Sequence, residues 1–275
     1  MMPELPEVET IGRALKEYLT GRQIVGVEVF TPRLREPLDS LKDPRLPGRK
    51  VLDVRRRGRY LIVELADNFA LLMHFGMSGV LKTVPLAQER SKHEHVIFDL
   101  GSGDSLRFEC PRRFSLLKFL ELSEAGAEPE ELSALGVEPL SDEFNAGYFC
   151  QCAQKRKLSL KEFLMDNSFV TGVGNIYATE ALFNTGLSPL RKACDVTLKE
   201  AEKLIAEVKN ILQRSIEVGG TTFSDYRQLD GSTGKYVLEL NAYGRSGELC
   251  RRCNSPLESI KQGGRTTVFC PHCQH

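Results

Sequence analysis

Residues 50–75 read KVLDVRRRGRYLIVELADNFALLMHF. Three short apolar and β-branched runs stand here in succession: Lys50–Val54, Tyr60–Leu65 and Ala70–Phe75. Turn signals separate them, and no gap has room for a helix. Strands joined this tightly pair antiparallel. The pattern continues outward on both sides. Ile24–Phe30 precedes it, and Val80–Val84, His95–Leu100, Leu106–Cys110 and Phe114–Leu120 follow. Many strands without intervening helices predict an antiparallel sandwich or barrel. A helix precedes the first strand. Pro6 suits a first turn, Glu7 and Glu9 complement the positive helix start, and Val8, Ile11, Leu15 and Tyr18 follow at three-to-four spacing before Gly21.

Beyond the strands, the acidic stretch 121–143 contains Pro129, Gly136 and Pro139 and predicts a linker. The pattern then turns helical. Ser159-Leu160-Lys161-Glu162 and Thr197-Leu198-Lys199-Glu200 are capping boxes. The second opens an amphipathic helix through Ala201, Leu204, Ile205, Val208, Ile211, Leu212 and Ile216, stopped at Gly219-Gly220. The polar residues 221–235 predict a mobile loop. The fold class is therefore α+β and multidomain, with an N-terminal antiparallel β-sandwich, flanking helices and a helical C-terminal part.

The 275 residues allow one large domain or about two ordinary ones. With 41% hydrophobic and 27% charged residues, the composition excludes a mainly disordered or collagen-like chain. No apolar run is long enough to cross a bilayer, and the N-terminus has no secretory pattern, so a cytoplasmic protein is expected. Lys and Arg total 37, as do Asp and Glu. The charges are segregated, however. Residues 49–59 carry six basic side chains and one acidic, whereas 119–154 carry eight acidic side chains and no Lys or Arg. A basic surface can hide inside this neutral total.

Four of the eight cysteines, Cys250, Cys253, Cys270 and Cys273, form two CxxC pairs sixteen residues apart. Without a secretory signal this spacing reads as a zinc ribbon holding one Zn²⁺ rather than as a disulfide framework. Four thiolates leave no open coordination position, so the zinc is expected to be structural. Arg251, Arg252, Lys261 and Arg265 make a basic hairpin suited to clamping phosphate, or equally a solvated loop. Gly172-Val173-Gly174-Asn175 ahead of a helix offers free N–H groups to an anion; read alone, it is first a plain helix–turn–helix corner. Cys110-Pro111-Arg112-Arg113-Phe114 sets two guanidinium groups beside one aromatic. That is the pattern for filling a gap left by an unstacked base, or a core Phe beside solvated arginines. His74 and Met77, in His74-Phe75-Gly76-Met77-Ser78-Gly79, serve the same surface or a plain strand end. His93 and His95 are placed two apart on one strand face, without the Asp or Cys a metal site needs.

Taken together, these segments resemble the bacterial formamidopyrimidine-DNA glycosylase family from end to end. The matching stretches are Pro3 to Thr10, His74 to Gly79, Pro111 to Phe114, Leu164 to Asn167, Gly172 to Ala178, Gly219 to Thr222 and the cysteine tail. The related endonuclease VIII group shares the fold and finger, but Leu5 and Val8-Glu9-Thr10 are similar to the formamidopyrimidine branch. The resemblance implies a bifunctional glycosylase and abasic-site lyase of base excision repair. It would excise oxidised purines such as 8-oxoguanine from damaged double-stranded DNA, and work as a monomer with no membrane partner. It puts the nucleophilic amine on Pro3, the acid–base group on Glu4 and a phosphate grip on Arg265. DNA contacts fall on His74, Met77, His93, Arg112, Arg113, Phe114, Lys157 and Asn175. The implied domains are 1–120 for catalysis, 121–143 as linker, 144–235 as a helix–two-turns–helix domain and 236–275 as zinc finger. The alternatives are endonuclease VIII-like activity on oxidised pyrimidines, or an inactive lesion-binding protein.

Two departures from the family pattern matter. A catalytic lysine is expected where Arg59 stands; arginine keeps the charge but does not readily release a proton. The chain also opens Met1-Met2-Pro3. Initiation at Met2 followed by its removal is the expected route to a free Pro3 amine. Cys110 further replaces the usual acidic residue before Pro111.

Overall fold

The computed structural model describes residues 2–221 and 234–275, so most of the loop expected over 221–235 lies outside the described residues. The chain divides into two units, Met1–Ser133 with Gly219–Lys235, and Ala134–Val218 with Tyr236–His275.

The first unit opens with α1 (Leu5–Leu19), whose N-cap is Glu4. The Glu4 and Glu7 carboxylates each accept from the other's end of the first turn, satisfying N–H groups the helix cannot. Val8, Ile11, Leu15 and Leu19 turn inward. A Cβ on Gly12 would stand 2.9 Å from the Leu61 side chain, so this glycine sets how closely the helix approaches the sheet.

Nine antiparallel strands follow: β1 (Gln23–Ile24), β2 (Gly26–Val29), β3 (Arg49–Arg57), β4 (Tyr60–Leu65), β5 (Phe69–His74), β6 (Val80–Pro85), β7 (Glu94–Asp99), β8 (Asp104–Glu109) and β9 (Leu116–Glu121). They form a five-stranded sheet, β1-β3-β4-β5-β9, and a four-stranded sheet, β2-β7-β8-β6. Leu61, Val63, Leu71 and Met73 from the first meet Val96, Phe98, Leu106 and Phe108 from the second in one core. Each such side chain contributes about 1.5–3 kcal/mol by leaving water. The run Ile24–Phe30 is not one strand. Ile24 pairs with β3, while Gly26–Val29 pairs with β7, so the chain changes sheets at Val25 and makes a corner of the sandwich.

The basic run extends β3 through Arg57, and its charge is largely neutralised within the unit. Arg55 pairs with Glu64, Arg56 with Glu9 at 2.7 Å and Arg57 with Glu128 at 2.7 Å. Glu128 comes from the acidic stretch, which thereby packs on the sandwich up to Ser133 instead of hanging free.

In the second unit, α2 (Ala146–Ala153), α3 (Leu160–Leu164), α4 (Asn175–Thr185) and α5 (Leu198–Glu217) surround a core in which α4 is buried from Ile176 to Phe183. Gly186 ends α4 in the left-handed conformation. Thr197 and Glu200 form the expected capping box of α5. The hairpin β10 (Glu258–Gln262) and β11 (Arg265–Phe269) closes the chain. Among the described residues no helix is long and apolar enough to cross a membrane.

Candidate active site and metal centre

In the first unit, Pro3 and Glu4 sit buried at the start of α1, where the aligned peptide dipoles give a positive end. Glu7 does more than cap. Its Oε2 accepts from Glu4 N at 2.9 Å, and its Oε1 accepts from Thr221 N at 2.7 Å. Gly220, at φ +83°, lies against the same carboxylate, and a Cβ there would come to 3.2 Å. Glu7 thus latches the N-terminus to a segment 214 residues away. Arg59 is 8% exposed, and its Nη1 lies 4.0 Å from the Met2 sulfur, which places a fixed cation beside the start of the chain.

His74 is buried beside the Tyr60 ring, and its Nδ1 accepts from Gly76 N at 3.1 Å. Burial, helped by the charges of Arg35 and Arg59, pushes its pKa down to about 4. The ring is therefore neutral near pH 7 and offers Nε2–H as a donor.

The loops carrying Met77 and Arg112 to Phe114 are stitched together. Ser115 Oγ donates to Phe75 O at 2.6 Å, and Arg112 N donates to Ser78 Oγ at 3.2 Å. Gly76 has φ +58°, and a Cβ there would strike the Phe114 carbonyl at 2.5 Å. Phe114 is half exposed with the Arg112 guanidinium 5.2 Å from its centroid, and Met77 is half buried. Arg113 holds a left-handed φ of +55°, and its N–H closes the turn on Cys110 O at 3.2 Å. A non-glycine residue there stores strain. The Cys110 thiol lies 2.9 Å from Ser115 Oγ.

His93 and His95 stand together, their rings edge to face with centroids 6.5 Å apart, but only His95 lies within a strand. β7 begins at Glu94, and its register shifts between Glu94 and Val96. His95 turns inward onto Cys110 O at 3.2 Å, while half-buried His93 is tied to the same residue through its backbone carbonyl. Arg107, unnoticed in the sequence, anchors this edge. Its fully buried guanidinium pairs with Glu94 at 2.9 Å and donates to four carbonyls between Pro85 and Glu89. A lone arginine among apolar strand residues carries no local signal of that role.

In the second unit, Asn175 opens α4 and donates to Thr266 O at 3.0 Å. Its Oδ1 accepts from Lys161, whose Nζ also donates to Thr267 Oγ1 at 2.6 Å. Lys161 is only 1% exposed. Within its capping box it reads as a surface residue, yet it ties α3, α4 and β11 into one cluster. Exposed Arg265 begins β11 next to that cluster, after Gly263 and Gly264. Lys157 is exposed between α2 and α3, apart from these bonds.

The four sulfurs of Cys250, Cys253, Cys270 and Cys273 all lie within 4.8 Å of one another. A tetrahedral zinc with bonds of about 2.3 Å needs sulfurs roughly 3.8 Å apart, so the set fits one ion. Hydrogen bonds from Ser255, then from the neighbouring thiols, bring Cys253 down to about 6. Burial raises Cys270 and the neighbouring thiols raise Cys273, and a bound cation would favour the thiolate at every one of the four. The site is closed, buried on Phe183, Leu257 and Val268, and structural.

Three family models match the chain: the formamidopyrimidine-DNA glycosylase N-terminal domain over 2–117, the formamidopyrimidine-DNA glycosylase H2TH domain over 135–227, and a zinc finger found in FPG and IleRS over 247–275. A formamidopyrimidine-DNA glycosylase of Yersinia enterocolitica is 45% identical, with all of both chains covered. One from Pectobacterium atrosepticum is 44% identical over 99% of this chain and 100% of its own. Among solved structures, wild-type Lactococcus lactis Fpg bound to DNA containing N7-benzyl-Fapy-dG superposes with a TM-score of 0.90 at 33% identity, covering 99% of each chain. MutM in complex with DNA containing carbocyclic 8-oxo-G gives 0.88 at 32%, again over 99% of each.

Proposed function

The chain belongs to the formamidopyrimidine-DNA glycosylase family, DNA glycosylases with abasic-site lyase activity that remove oxidised purines in base excision repair, and from that premise we propose which residues do the chemistry. The observation that carries the proposal is the construction around Pro3: a buried helix start, a carboxylate at Glu4 and the fixed cation Arg59.

Once freed, the Pro3 secondary amine attacks C1′ of the damaged nucleotide, and the bond to the base breaks with its electrons leaving on the base. The amine loses its proton, and breaking of the C1′–O4′ bond, with a proton delivered to O4′, opens the sugar to an iminium. Glu4 exchanges protons during ring opening. The iminium acidifies the C2′ proton. Its removal expels the 3′ phosphate, and a second elimination expels the 5′ phosphate. Arg265 and Asn175 hold phosphate, with Lys161 fixing the asparagine. Neutral His74 donates to the backbone beside Arg59. Met77, Arg112 and Phe114 fill the space left by the extruded base. His93, Arg113 and Lys157 add backbone contacts. Residues 1–120 form the catalytic domain, 144–235 the helix–two-turns–helix domain and 236–275 the finger. The enzyme works as a cytoplasmic monomer.

Duplexes carrying a single 8-oxoguanine or a single oxidised pyrimidine test the purine assignment. Faster release of 8-oxoguanine is expected; the reverse ranking would support endonuclease VIII-like activity, and binding without release a non-catalytic role.

Arg59 gives a sharper test. If the cation at this position only holds phosphate, Arg59→Lys should change 8-oxoguanine release by less than about threefold. Strand scission on a preformed abasic site, timed separately, reports elimination. A large gain in base release would show that charge alone is insufficient, whereas a gain confined to the abasic substrate would place a proton-shuttling role in elimination.

Affinity for undamaged duplex should fall steeply with salt. The β3 arginines are spent on Glu9, Glu64 and Glu128, so exposed cations such as Arg112 carry the effect. Arg112→Ala should reduce the log–log salt slope by about one, while Arg57→Ala leaves it unchanged. Equal slopes for the two variants would refute this division.

A further inference from the structure

We propose that a cavity in the second unit, between α5, the end of α4 and residues 236–241, is a binding site for an alkylammonium cation. Its volume is about 350 Å³, within the range of small-ligand sites. Four observations support the site.

Tyr236 lines the cavity and is 4% exposed, yet among the described residues its hydroxyl has no hydrogen-bond partner. A hydroxyl with no protein partner stays open to water or to a ligand at the cavity wall. Burial, with the charges of Glu180, Glu239 and Glu207, raises its pKa, so it stays a neutral phenol.

Glu207 is half buried on the same wall. One oxygen accepts from Asn184 Nδ2 at 2.7 Å, but among the described residues no lysine or arginine pairs with it. Among the described residues Arg214 is the only cationic residue in the lining, and it is already engaged. It donates three times to Glu239 at 2.8–3.2 Å and lies 3.6 Å from Glu217. With Glu207, Glu217 and Glu239 against Arg214, the cavity is net negative. A DNA phosphate would be repelled, so the cavity does not belong to the DNA surface.

The remaining polar groups are rich in acceptors. Asn210 and Gln213 line the cavity from α5. Asn241 donates its Nδ2 to Asn184 Oδ1 at 3.4 Å, which leaves its own carbonyl oxygen as an acceptor. An ammonium brings three donors and no acceptor, matching that set. Buried Ile211 offers an apolar surface for a methylene chain, and the Tyr236 ring a face for the cation.

A free polyamine and the lysine side chain of a partner protein share this chemistry. Titration of spermidine at constant ionic strength into ¹⁵N-labelled, zinc-loaded, full-length protein should shift the amide signals of 207–217 and 236–241 saturably. Glu207→Gln should weaken the apparent affinity about tenfold, since it removes a charged partner. Tyr236→Phe should weaken it by less, and neither variant should slow lesion cutting. Nα-acetyl-lysine methylamide separates the two sources. Saturable shifts with this amide but not with spermidine assign the site to a partner's lysine, the opposite to a free polyamine, and shifts with both to either. Absence of saturable shifts with both probes overturns the proposal. So does reproduction of the shifts by magnesium chloride at equal ionic strength, or an unchanged affinity in Glu207→Gln.

Discussion

Protein whose first residue is Pro3 should be captured covalently by borohydride on a duplex carrying one 8-oxoguanine, and protein that retains Met2 should not. In the retained chain the Pro3 nitrogen is a tertiary amide whose lone pair is delocalised into the carbonyl of Met2, so it cannot attack C1′. The difference should be on the order of 10³-fold or more, the scale of losing a covalent nucleophile. Once exposed, the amine would sit among opposing charges, the Glu4 and Glu7 carboxylates that cap the helix favouring its protonation. It would lie at the positive end of α1, and Arg59 places a permanent cation nearby, with its Nη1 now 4.0 Å from the Met2 sulfur. Both effects disfavour an ammonium at that position. Glu4 is held in place by its bond to the Glu7 carboxylate. Intact-mass analysis of the same samples links the chemistry to the chain end. Trapping of equal yield from a sample that is wholly Met2-terminated would remove Pro3 from the mechanism and point to a lysine amine elsewhere.

What could be read in advance follows from the range of the interactions. The strand Tyr60–Leu65 has the expected limits because its apolar pattern is local. The Thr197–Glu200 capping box and the cysteine spacing are equally short-range signals. The features that escaped are long-range. The latch between Glu7 and Thr221 joins residues that no local pattern relates. Lys161 reads as a solvated helix residue until Thr267, more than a hundred positions later, folds over it. Arg57 reads as free positive surface until Glu128 arrives from the acidic stretch. The site residues themselves were named through family motifs. Periodicity gave only their settings: a helix start at Pro3, a helix start at Asn175 and a turn beside Arg265.

Replacing Cys270 with serine should abolish productive DNA binding while leaving the N-terminal sandwich folded. Cys270 is fully buried and shares its small cluster with Cys250, Phe183, Ala242, Leu257 and Val268. That cluster and a hairpin of five residue pairs are too little to hold the tail alone. Structural zinc contributes on the order of 10–16 kcal/mol to folding in such modules, so three thiols and an alcohol leave the hairpin unfolded or poorly metallated. The consequences extend beyond the finger. β11 carries Arg265, supplies the Thr266 carbonyl that fixes Asn175, and gives buried Lys161 its Thr267 partner. Loss of the hairpin therefore removes one phosphate contact and loosens the other, and affinity should drop by about a hundredfold or more. Arg265→Ala, which keeps the metal, should lose clearly less. Hydrogen exchange of β3 to β5 should remain at wild-type protection in both variants. Active, wild-type-affinity protein shown by metal analysis to contain no zinc would defeat the argument, because the arginine would then be held by something other than the metal.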